Sequence, residues 1–137
     1  MKRWTWMLAG LSVVLGLTAV SGNVRAQQPA APATKGVTAV PMASVDLGPE
    51  IEGMAGRQLR MRKITLEPGG FFDTHSHKDR PGTVYVLEGK ITETRNGVTK
   101  EYGPGEAWFE NKETNHRVEN KGTTPATFLA VDILKQQ

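Results

Sequence analysis

The stretch "PGGFFDTHSHKDRPGTVYVLEG", Pro68 to Gly89, decides how the chain is read. A Pro-Gly-Gly turn opens it and a run of β-branched and aromatic residues closes it. Between them stand His75 and His77, two of the chain's three histidines. Residues i and i+2 of a strand point to one face, with side-chain roots about 6–7 Å apart. Two imidazoles so placed can converge on one atom, as metal–nitrogen bonds of about 2.0–2.1 Å require. The same pair on an exposed strand end can also be merely solvated.

Outward from this stretch the pattern is strand, turn, strand. "RQLRMRKITLE" (57–67) alternates, with Leu59, Met61 and Lys63 on one side and Arg60, Arg62, Ile64 and Leu66 on the other. "TVYVLEGKITETR" (83–95) is rich in strand formers, with Gly89 as a bend or bulge. Asn96-Gly97 is a hairpin signal, because both turn positions tolerate positive φ. "VTKEY", "AWFE", "HRVEN" and "ATFLAVDIL" follow, separated by Gly/Pro-rich or polar turns. No apolar period of 3.6 residues appears past the N-terminal region. The expectation is an all-β sandwich or barrel.

The N-terminal region reads differently. Residues 1–26 have a basic start (Lys2, Arg3), an apolar run and a small-residue ending at Ala26, the layout of a cleaved signal peptide. The run, at about 14 residues, is shorter than the roughly 20 a membrane span needs. Residues 27–41, rich in Ala, Pro and Gln, read as a flexible linker, and residues 42–137 as the folded domain. A periplasmic or secreted protein is expected. The chain has 17 Lys+Arg against 14 Asp+Glu, but Lys2, Arg3 and Arg25 leave with the signal, so the mature protein is near neutral. That argues against nucleic acid or an anionic membrane as a charge-driven partner. There is no cysteine, hence no disulfide and no thiol nucleophile. No phosphate-binding Gly-rich loop, H-E-x-x-H or G-x-S-x-G is present either.

The third histidine, His116, follows a loop and starts a strand. Three histidines, two of them at strand spacing, make an economical three-imidazole site. The region from Gly69 to Asn120 resembles the cupins, small double-sheet jelly-roll barrels (double-stranded β-helices). Their first motif is G-x5-H-x-H-x3,4-E-x6-G, matched by Gly69, His75, His77, position 82 and Gly89. Their second is G-x5-P-x-G-x2-H-x3-N, matched by Gly105, position 111, position 113, His116 and Asn120. All spacings hold. Three residue types depart: Gly82 stands where the family places a metal-binding glutamate, Asn111 replaces proline and Glu113 replaces glycine.

The resemblance therefore implies three metal ligands, His75, His77 and His116, and withholds the fourth. It implies a divalent ion, with Fe(II) leading and Mn, Ni, Cu or Zn as alternatives, because some cupin-type iron enzymes resemble a three-histidine arrangement. It also implies a homodimer, for which the sequence offers only the hydrophobic edge "TFLAVDIL". Glu110 on "AWFE" is the first candidate to supply the missing acid, as ligand or general base, if it faces inward. Asp73 is a weaker candidate and Glu93 weaker still. Arg80 is either a clamp for a substrate carboxylate or a solvated side chain. Trp108 is expected to line the barrel, Tyr85 to face away from the metal, and Asn120 to support a turn.

Two functions from different classes remain open. One is a metal-dependent enzyme acting on a small oxygen-rich substrate, with oxygen-dependent cleavage (dioxygenase-like) leading and isomerase, lyase or hydrolytic chemistry open. The other is a non-catalytic periplasmic barrel that binds a metal or small ligand. A barrel with a decayed metal site is the third, duller reading.

Overall fold

Eight strands follow from the alternating segments: β1 (Thr34–Asp46), β2 (Arg57–Ser76), β3 (Gly82–Glu88), β4 (Ile91–Arg95), β5 (Val98–Tyr102), β6 (Ala107–Glu110), β7 (Asn115–Glu119) and β8 (Ala126–Lys135). They come from a computed structural model, which describes residues 33–136. The expected signal peptide and the first part of the expected linker lie outside the described residues. All strand pairings are antiparallel, in the order β5-β4-β7-β2-β8-β3-β6, with β1 on β2. The sheet curls into a nearly closed barrel. Among the described residues there is no helix.

β2 holds the barrel together because it serves both sides. Its first half pairs with β8, from Arg57↔Lys135 to Leu66↔Ala126. Past Pro68-Gly69-Gly70 its second half pairs with β7, and His75 comes to lie opposite His116. The Asn-Gly turn forms as read: Asn96 and Gly97 have φ of 52° and 78°, and they join β4 to β5. In the first half of β2 the even-numbered face is the inner one, with Ile64 and Leu66 buried, and a register shift between Phe72 and His75 turns His75 inward. Val84 and Val86 of β3, Trp108 of β6, Val118 of β7 and Phe128 and Ala130 of β8 meet them to fill the core. Tyr85 is exposed, as alternation required, and Asn120 ties a turn together through Leu66 O, Thr124 O and the Gly122 amide.

Two expectations are corrected. The linker does not extend to residue 41. Thr34–Pro41 belong to β1 and pair with β2 from Thr34↔Phe72 to Pro41↔Arg62. Val37, Thr38 and Val40 supply β-branched residues, and Pro41 is tolerated because β1, among the described residues, is an edge strand paired only with β2. A register shift between Pro41 and Ala43 absorbs the irregularity. Second, "TFLAVDIL" is not an edge. It lies in β8, which is paired on one side by β2 and on the other by β3. Phe128 and Ala130 are buried in the core, and Leu129, Val131, Ile133 and Leu134 are half-buried.

Candidate metal centre

His75 is the last residue but one of β2, His77 opens the loop that follows and His116 is the second residue of β7. The β2–β7 register sets His75 against His116, and the i, i+2 relation brings His77 to the same face. The three rings form a nearly equilateral triangle, with centroids 5.0, 4.8 and 4.9 Å apart. One ligand atom from each lies within 4.8 Å of the others. His77 Nε2 is 3.1 Å from His75 Nε2 and 3.1 Å from His116 Nε2.

The Nδ1 atoms decide what those contacts are. His75 Nδ1 faces the Asp73 carbonyl at 2.8 Å, His77 Nδ1 the Arg80 carbonyl at 3.1 Å and His116 Nδ1 the Glu93 carboxylate at 2.6 Å. All three partners only accept. Each ring therefore carries its proton on Nδ1, and the three Nε2 lone pairs face one another without a proton between them. Such a cluster suits a cation at its centre. Metal–nitrogen bonds of about 2.0–2.1 Å place neighbouring nitrogens roughly 2.9–3.4 Å apart, from octahedral to tetrahedral angles. The two separations from His77 Nε2, 3.1 Å each, lie within that span, and the His75 and His116 nitrogens stand within 4.8 Å of each other. Burial holds His75 and His77 in the neutral form needed of ligands: their pKa values fall to about 4 and about 3, and the Arg80 charge contributes to both.

The acids sort clearly. Asp73 turns away from the triangle, accepting from Arg117 Nη1 at 2.7 Å and from the Thr74 amide at 2.8 Å. Glu93 is buried and sits behind His116, not in front of it. It accepts from His116 Nδ1, from Arg95 Nε at 2.9 Å and from the Tyr102 hydroxyl at 3.2 Å. In the sequence it is the weakest of the three acid candidates. Its place in the Ile91–Glu93–Arg95 alternation was the signal, since Ile91 had to face the core. Glu110 does face inward: it is buried, with Oε1 accepting from Trp108 Nε1 at 3.3 Å and lying 3.6 Å from His116 Nε2. Oε2 is 3.1 Å from His77 Nδ1. Burial raises its pKa, against the pull of His116 and Arg80.

Gly82, the position of the absent family glutamate, pairs directly with Glu110 across β3 and β6. A Cβ at residue 82 would meet Val131 O at 2.7 Å and Asp132 Cβ at 3.1 Å. No side chain fits there without movement of backbone, and Glu110 on the paired strand β6 places a carboxylate alongside the histidines. The centre opens on a cavity of about 290 Å³. Ile64, Val84, Phe128 and Ala130 form its apolar wall, and Arg62, Arg80 and Glu110 join the histidines at its polar end.

The sequence model of the cupin domain matches residues 62–132, more than half of the chain. The chain belongs to the cupin family. This cupin is 30% identical over 83 residues to an oxalate-binding protein of Thermotoga maritima, covering 61% of this chain and 69% of the relative. In structure it is similar to a predicted oxalate decarboxylase of the same organism, at TM-score 0.51 and 24% identity, over 69% of this chain and 92% of the other. It is also similar to a polyketide cyclase of Streptomyces resistomycificus, at TM-score 0.61 and 25% identity, over 77% and 70% of the two chains. One cupin barrel thus serves several chemistries, and function must be argued from the site.

Proposed function

We propose that this cupin is an exported metal-dependent enzyme that carries Fe(II) on His75, His77 and His116 and cleaves a small oxygen-rich substrate with dioxygen. The observation that carries it is the convergence of three Nε2 lone pairs, each fixed by an acceptor on its Nδ1. With no fourth protein ligand at Gly82, the ion would keep open positions and its full charge, and so would bind and polarise an oxygen-donor substrate. Glu110 is the proposed proton carrier. Its carboxyl holds a proton to higher pH than usual and stands at the edge of the triangle, where it can accept a substrate proton and return it. The apolar wall keeps water from the reacting face. The oxalate-binding relative supports a small carboxylate as the ligand class.

The test is oxygen uptake by protein loaded with Fe(II), or with Mn, Ni, Cu or Zn, over a panel of carboxylates, diketones, thiols and phenols. One metal per chain and turnover of one substrate class are expected. Glu110→Gln should lose most of the rate, roughly 10²-fold or more, and keep the metal. No turnover with any metal across the panel abandons the enzyme reading. The relative's binding role favours the second reading, a barrel that holds metal and ligand without turnover. In that case Glu110→Gln lowers metal or ligand affinity instead.

Export through residues 1–26 and pairing as a homodimer belong to the same proposal. The outer edge of β1, where Val40, Met42 and Val45 are exposed, is the surface that supports pairing. Amino-terminal sequencing of the periplasmic protein and its mass by light scattering check the two.

A further inference from the structure

Arg60 and Arg62 occupy the inner face of β2, where alternation would place apolar side chains. Arg60 lies opposite Asp132 of β8 in the strand register. Asp132 is buried and accepts from Arg60 Nε at 2.7 Å and Arg60 Nη2 at 3.0 Å, a fork-on-carboxylate pair. The same carboxylate takes Arg62 Nη2 at 3.2 Å and lies 3.6 Å from Arg80 Nη1. One carboxylate thus answers three guanidiniums, and its best geometry goes to Arg60. Arg62 Nε is buried and has no hydrogen-bond partner among the described residues. Arg62 and Arg80, unlike Arg60, line the histidine cavity. Glu110 is the other carboxylate there, and even when it is ionised one positive charge of this group is left over.

A buried cation is costly unless it is paired, and spare guanidinium donors suit a planar carboxylate. We propose that Arg62 and Arg80 form an anion subsite beside the metal centre that takes one carboxylate of a short dicarboxylate. Arg80 Nη2 is 3.5 Å from His77 Nε2, so one small molecule reaches both the guanidiniums and the histidine cluster. The second carboxylate then faces the Nε2 atoms. That second contact rests on the metal reading above; the guanidinium contact does not.

Chelator-treated mature protein titrated with oxalate and with malonate by calorimetry tests the subsite. Saturable binding is expected, weakened roughly tenfold or more in Arg62→Gln and in Arg80→Gln. Metal affinity, titrated separately, should not fall in either variant. Asp132 keeps its fork from Arg60 in both, and Arg80 makes only the longest of the three contacts, so Arg80→Gln in particular should fold. No dicarboxylate binding without metal, or binding unchanged in both variants, overturns the subsite and leaves the metal centre standing. Loss of metal together with the anion in both variants overturns a separate subsite as well. A wild-type protein that binds dicarboxylate but no divalent metal overturns the metal centre and supports the subsite.

Discussion

At the scale of single residues, the centre depends on groups that stand behind the three histidines. Glu93 is the clearest. Burial alone would raise its pKa, but hydrogen bonds from His116 and Arg95 and the Arg95 charge outweigh that and hold it below the ordinary carboxylate range. An ionised Glu93 can only accept, so His116 must keep its proton on Nδ1 and present Nε2 to the centre. Glu93→Gln removes that constraint, because an amide can donate to Nδ1 and move the ring proton to Nε2. Metal affinity is expected to fall about 10–100-fold, read by competition with a chelating dye. Unaltered affinity would show that His116 is oriented by packing alone. Gly82 and Glu110 make a related point. A side chain at residue 82 is blocked by Val131 O, and the register delivers an acid from the facing position of β6.

At the scale of elements, β1 is the strand that composition concealed. A chain starting at Met42 would lose the pairings from Thr34↔Phe72 to Pro41↔Arg62, the packing of Val37 against the core, and Thr34 at the lip of the cavity. It should be about 2 kcal/mol less stable than a chain starting at Gln27, from one half-buried valine and several ladder hydrogen bonds. Urea denaturation of the two decides it, and equal midpoints would mean that β1 is dispensable. Most other strands were legible because period-2 alternation and Asn-Gly or Gly/Pro punctuation report local geometry directly. β1 was not, since Ala, Pro and Thr are common to linkers and edge strands, and only its pairing with β2 separates the two. The inner arginines of β2 blurred its alternation for a similar reason: their partner, Asp132, lies seventy residues away and is found only through the β2–β8 register. The three histidines were legible from spacing. Glu93 behind them was not, because a supporting acid has no motif of its own.

At the scale of the whole molecule, the buried histidines tie stability to pH. His75 and His77 titrate near 6.5 when unfolded but at about 4 and about 3 when folded. Between those limits the unfolded chain binds more protons, so the stability these groups supply is complete above pH 6.5 and is lost as pH falls through 4 toward 3. Glu110 has the opposite sign: its raised pKa favours the folded state at low pH and lessens the slope, as one group against two. Asp132 and Glu93, both held below their ordinary values, add their loss only near and below pH 4. Metal-free protein should therefore melt at steadily lower temperature from pH 7 to pH 4, with a steeper drop at the acid end. Replacing both His75 and His77 by Gln should flatten the slope between pH 6.5 and 4.5 and leave the acid limb in place. Because both rings are already neutral in the fold, metal binding should persist at pH 5.5, where a free imidazole is mostly protonated. Scanning calorimetry across this range, with and without metal, separates the outcomes. A melting temperature that is flat or rises on acidification from pH 7 to pH 5 would mean that the two histidines are not buried together as neutral rings. The triangle of Nε2 atoms could not then exist before a metal arrives.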